Sequence, residues 1–186
     1  MKFALTLFIA LCTSQAYGMR IPATLSNGLY VSTEGFELHP QSTSWVRATA
    51  PFELKNKIEA LFRIKGSDSS SNTTFTIRVD KDTPHKTLKE YSTKWLKSYG
   101  QFGLEVLGHQ YFRNSNDADG FVIDISNTTS KKKLRQVIFF RNSKAVILTC
   151  MDQDVNFKSA IKNCNDLVKT FSWQEASLKN PESLIQ

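Results

Sequence analysis

The stretch from Ala145 to Trp173, AVILTCMDQDVNFKSAIKNCNDLVKTFSW, constrains the fold more than any other part of the chain. It reads as an apolar strand, a short acidic loop and an amphipathic helix. In that helix Phe157, Ile161, Cys164, Leu167, Val168 and Phe171 fall at i, i+4, i+7, i+10, i+11 and i+14, one stripe at about 3.6 residues per turn. Such a stripe has to be buried, and the strand beside it supplies the surface. Helix-on-sheet packing is therefore the expectation from which the rest of the chain is read.

Upstream, four segments alternate or run apolar in the manner of strands: Leu104 to Arg113, Gly120 to Ser126, Leu134 to Arg141 and Ala145 to Met151. Asn142 and Ser143 predict a tight hairpin turn between the last two, whose near-continuous apolar runs suit central strands covered on both faces. Before them, Asp82, Thr83 and Pro84 predict a helix start, with Asp82 or Thr83 as N-cap, and Gly100 the stop. Leu88, Tyr91, Trp95 and Tyr99 form its stripe and read as core. Earlier still, Leu29 to Ser32 and Phe36 to Leu38 read as short strands, and Ile58 to Lys65 and Thr73 to Val79 as an antiparallel pair joined by the polar run 66–72. Residues 40–55 read as irregular, anchored by Trp45 and Phe52. The resulting order is four strands, a helix, four strands and a helix. This predicts an α+β fold, an antiparallel β-sheet with helices packed on its faces, an α-β-α sandwich.

The first residues carry a different signal. Lys2, the apolar run 3–11 and the small residues Ser14, Ala16 and Gly18 give 1–18 the pattern of a secretory signal peptide, with the cut after Ala16 or after Gly18. The run is too short to span a hydrocarbon core of about 30 Å. Lipidation at Cys12 is disfavoured, because Leu11 stands where a small residue is wanted. The expected organisation is a signal peptide at 1–18, a leader segment at 19–28, one α+β domain at 29–173 and a polar tail at 174–186. With 40% hydrophobic residues and 13 Phe, one core of this size is well supplied. The expected location is periplasmic or secreted, and no later stretch is long and apolar enough to span a membrane.

Export bears on Cys150 and Cys164, because disulfides persist outside the cytosol. Cys150 shares a strand face with Val146 and Leu148, and Cys164 lies in the buried stripe of the helix, so both can point into one layer. A bridge would close a loop of about 15 residues, worth about 3 kcal/mol in the chain-entropy model. Two buried thiols acting as small hydrophobes are the alternative. Without a neighbouring histidine the pair makes at most half of a tetrahedral metal site.

Three segments further resemble the PsbP/Mog1-like superfamily: Gly35, Phe36, Glu37 and Leu38 leading to Pro40 and Trp45; the helix Thr87 to Tyr99; and AVILTC, Phe157 and VKTFSW in the closing stretch. The resemblance implies the α-β-α sandwich and a role as an assembly factor, subunit or binding protein. The pattern is made of structural residues, and the superfamily has no shared catalytic motif to carry over.

The chain lacks a Walker loop, a dinucleotide fingerprint, a G-x-S-x-G elbow and a C-x-x-C pair, so no cofactor or catalytic residue is assigned. His39, His85 and His109 read first as a loop residue, a helix-start residue and a strand residue. Asn116, Asp117 and Asp119, and Asp152 and Asp154, read as solvated loops. The net charge of +7 weakly favours anionic partners, but no nucleic-acid motif accompanies it. Lys131, Lys132, Lys133 and Arg135 cluster at a hairpin entrance, as a wet turn or as a patch for an anionic partner. Asn72 and Asn127 head N-x-T sequons, relevant only in a eukaryotic secretory pathway. The expected function is that of an exported, non-catalytic binding or assembly module, its partner another envelope or secreted protein. An exported hydrolase with a site built from separated residues, or a small-ligand carrier, is the alternative.

Overall fold

The strands at the end of the chain organise the structure, a computed structural model that describes residues 24–26, 28–66 and 73–175. The signal peptide, most of the 19–28 leader, the connection 67–72 with the Asn72 sequon, and the tail from 176 onward lie outside the described residues. In chain order the elements are β1 (Thr24–Ser26), β2 (Leu29–Val31), β3 (Phe36–Leu38), β4 (Trp45–Ala48), β5 (Ala60–Ile64) and β6 (Thr74–Asp80). They continue with α1 (Leu88–Ser98), β7 (Glu105–Arg113), β8 (Asp119–Asn127), β9 (Lys132–Arg141), β10 (Lys144–Gln153), α2 (Asp154–Lys169) and β11 (Ser172–Trp173).

Among the described residues the strands form two antiparallel sheets. The larger has the order β4-β5-β6-β10-β9-β8-β7, and the smaller the order β1-β2-β3-β11. β10 is the middle strand of the larger sheet. It pairs with β9 from Lys144↔Arg141 to Gln153↔Lys132, and with β6 from Ala145↔Asp80 to Met151↔Thr74. Asn142 and Ser143 both take positive φ (52° and 57°), the geometry that matches the twist of a two-residue hairpin.

The two faces of β10 enter two separate cores. Val146, Leu148 and Cys150 pack with Cys164, Leu167 and Val168 of α2, and with Phe62, Phe75 and Phe139 from the neighbouring strands. Ala145 and Ile147 pack with Tyr91 and Tyr99, alongside Ile123, Ile125 and Ile138. Tyr91 of α1 and Cys164, Leu167 and Val168 of α2 thus lie in different cores. Cys150 and Cys164 are bonded to each other, their Cα atoms 6.1 Å apart.

Several expectations change. Six strands precede α1 among the described residues where four were expected, because β1 lies in the leader and β4 in the supposedly irregular segment. Trp45 does anchor that segment, donating its indole N–H to the carbonyl of Asn163 in α2 at 2.9 Å. Phe52, by contrast, is 89% exposed. Helix α1 starts at Leu88, later than Asp82 or Thr83 predicted. Thr83 instead donates its backbone N–H to Ser143 at the hairpin turn, while Thr87 caps the helix by accepting from the Glu90 amide at 3.1 Å. α2 ends at Lys169, and Phe171 lies beyond it, just ahead of β11.

β11 lets the small sheet close the α2 side of the larger one. Trp173 pairs with Phe36 in β3, and Phe171, fully buried, stacks on Phe139 with centroids 3.8 Å apart and on Phe36 at 5.6 Å. The second face of the large sheet is therefore covered by α2 together with the small sheet. Phe171→Ala is expected to cost about 3–5 kcal/mol in urea unfolding, the range for deleting a buried aromatic ring.

Candidate functional site

Helix α2 lies over β10 and β9, which leaves the outer part of the sheet, β8 and β7, uncovered on that face. The result is a groove of about 410 Å³ between α2 and the β7–β9 end. Its floor is apolar, made by Phe112, Val122, Val137 and Val168. Its rim carries Gln110, Arg113, Asn165, Lys169 and Arg135. It continues past Gly108 and Asp124 toward the start of α2, where Leu107, Lys133, Phe157, Lys158 and Ile161 line it. Arg135 lines the groove throughout.

Local features of β7 and β8 set the groove's shape. The register of β7 on β8 shifts between Val106 and Gly108, a bulge that changes which side chains face α2. At Gly120 an added Cβ would meet the Phe112 ring at 2.6 Å. Only glycine there lets Phe112 lie down as part of the floor, with its ring edge-on to Phe139 at 5.9 Å.

Arg135 is held rather than free. Its Nε and Nη2 donate to the two carboxylate oxygens of Asp124, both at 2.7 Å, and its Nη1 donates to Asn165 in α2 at 2.9 Å. Such a bidentate fork fixes the guanidinium plane. Lys133 reaches Asp154 at 2.6 Å. At the rim Arg113 pairs with Asp119 at 2.8 Å, and its hydrogen bond to that carboxylate raises its pKa further. Lys169 lies 3.5 Å from Asp166 in the same helix.

The four basic residues singled out in the sequence are thus divided. Lys133 and Arg135 line the groove, each with an aspartate. Lys131, at φ 54°, turns the chain into β9 and accepts the Asp154 amide on its carbonyl, and Lys132 stands opposite Gln153. The groove itself combines side chains from β7, β8, β9 and α2. No local motif announces that combination.

The histidines serve other surroundings. His39 is exposed, its Nε2 3.8 Å from Glu37. His85 is edge-on to Tyr91. His109 borders the groove, but its ring lies 5.5 Å from Phe121, toward α1. On that α1 side Tyr99 donates to Gln136 at 2.5 Å, and burial pushes its phenol up to about 12. The acidic loops are also committed. Asn114 and Asn116 donate to the carbonyl of Phe171 at 2.7 and 3.0 Å, tying the β7–β8 turn to the end of α2. Asp152, read from the sequence as part of a solvated loop, is instead buried near the end of β10, where it accepts from Thr73 at 2.5 Å, and Asp154 begins α2. Among the described residues no three His, Cys, Asp or Glu side chains come together as metal ligands.

Because Arg135 holds Asp124 and Asn165 in place, Arg135→Ala is expected to cost about 1.5–3 kcal/mol in urea unfolding, the range for hydrogen bonds to charged groups. A double-mutant cycle with Asp124→Ala should recover much of that loss as coupling.

No protein-family model and no curated protein matches the sequence. Solved structures do. The solution structure of cyanobacterial PsbP (CyanoP) from Synechocystis aligns over 78% of this chain and 91% of its own, with a TM-score of 0.54 and 11% identity. A Pseudomonas aeruginosa protein of unknown function, PA94, described as a candidate regulator, aligns over 79% of this chain and 96% of its own, with a TM-score of 0.53 and 14% identity. At these identities the likeness is one of fold: the chain is an α+β protein with a PsbP-like fold.

Proposed function

We propose that the chain is an exported, non-catalytic binding module of the PsbP/Mog1-like superfamily, an α-β-α sandwich that engages another envelope or secreted protein through the groove beside α2. The observation that carries this reading is the groove itself, with an apolar floor of Phe112, Val122, Val137 and Val168 under a rim of cations and amides. Apolar floors supply affinity, and fixed polar groups around them supply orientation. Arg135, forked onto Asp124 and bonded to Asn165, orders the floor, while Arg113 and Lys169, exposed on the rim beside Asp119 and Asp166, face the partner. An apolar segment bearing carboxylates matches that lining. The Cys150–Cys164 bond and the signal-like start of the sequence support export.

A small-ligand carrier is the second reading, because about 410 Å³ falls within the range typical of small-molecule sites. The two are separated by site-specific photo-crosslinking in the native envelope, with the crosslinker placed at Gln110 on the rim and, as control, at Lys94 on α1. A discrete protein adduct from position 110, absent from position 94 and lost on adding Lys169→Glu, is the expected result. No protein adduct from position 110, with a small molecule retained through native purification, would turn the reading to the carrier.

A further inference from the structure

The edge of the larger sheet opposite the groove carries an apolar residue that the core does not use. After β4 the chain leaves the sheet and makes a single 3-10 turn at Phe52–Leu54, none of whose residues is buried. Phe52 is the most exposed large apolar side chain among the described residues, at 89%, and Leu54 and Val46 nearby are also exposed. The turn is nevertheless fixed. Leu54 donates its amide to Pro51, Lys55 to Phe52, and Lys57 and Ile58 both to Leu54, at 2.8–3.2 Å. The backbone that carries the ring is thus ordered before any binding event.

The charges around the ring are mainly positive. Lys55 and Lys57 follow it, both exposed and without an ion-pair partner among the described residues, and Glu53 is the one acid within the turn itself. Arg47 and Lys55 line a common depression beside the turn. Its carboxylate, Glu59, is engaged by the hydroxyl groups of Tyr30, at 2.7 Å, and Ser32.

We propose that this knuckle is a peripheral docking point for an anionic phospholipid bilayer, with Phe52 inserted at the headgroup boundary and Lys55 and Lys57 on the lipid phosphates. One protruding ring is too little for a stable protein interface, which needs about 800 Å² on each side. On a bilayer a single apolar side chain and neighbouring lysines add up to weak, reversible docking. Burying the ring is worth about tenfold or more in partitioning. Each lysine near the anionic surface adds about fivefold. Because β4 and β7 are opposite edges of the sheet, a chain docked in this way keeps its groove open. The docking does not depend on what the groove binds.

The test uses the full chain and a readout local to residue 52, since the apolar stretch 3–11 can bind bilayers by itself. Phe52→Trp is mixed with vesicles of 3:1 phosphatidylcholine and phosphatidylglycerol. Its extra fluorescence over the wild type should shift to the blue and be quenched by brominated acyl chains. Adding the pair Lys55→Glu, Lys57→Glu to Phe52→Trp should weaken the vesicle titration of that indole signal about tenfold or more. An unshifted and unquenched signal from the introduced indole would overturn the proposal. Equal binding to pure phosphatidylcholine would overturn the role of the lysines.

Discussion

Everything in this fold depends on β10 having to hide both of its faces. Val146, Leu148 and Cys150 on one side and Ala145 and Ile147 on the other are all essentially inaccessible to water. A strand of this kind is stable only between two covering layers. α1 supplies one with its Tyr91, Trp95 and Tyr99 stripe. α2 supplies the other, and the bond from Cys150 to Cys164 ties that helix to the strand it covers. Since α2 follows β10 directly, the helix folds back onto its own strand and the neighbouring β9.

The groove follows from that placement. A helix about 10 Å wide covers about two strands spaced by about 4.8 Å, and four strands run from β10 to the β7 edge. The small sheet fills part of the remaining space by stacking Phe36 and Phe171 on Phe139, but β8 and β7 stay open beside α2. At that boundary Arg135 joins β9, β8 and α2 through Asp124 and Asn165, so the groove wall and the helix position are set by the same side chain. The groove is thus the uncovered remainder of the core's own sheet.

Much of this architecture is legible in the sequence because it rests on local periodicity. The four strands from β7 to β10, the Asn142–Ser143 hairpin, the two helical stripes and the shared layer of Cys150 and Cys164 all follow from patterns within about 20 residues. The elements that escape such a reading are short and depend on distant partners. β11 has two residues and exists because Trp173 meets Phe36, and β4 has four and exists because Trp45 meets Ile64 and Asn163 of α2. At the start of α1 two caps competed. Thr83 was captured by the carbonyl of Ser143, leaving Thr87 and Glu90 to begin the helix. The basic cluster shows the same limit: its carboxylate partners, Asp124 and Asp154, come from other elements, so pairing that divides the cluster is invisible along the chain. Phe52 reads as core by residue type alone, and only the turn that holds it shows that it points into water.

The central claim is that β10, clamped from both faces, is the last part of the structure to open. Native-state hydrogen exchange tests it most directly. The amides of Val146 to Cys150 are expected to exchange only through global unfolding, with a free energy equal to that from urea unfolding, and the small sheet to exchange earlier through a smaller opening. Exchange of the β10 amides in the same partial opening as β1, β2, β3 and β11 would contradict it.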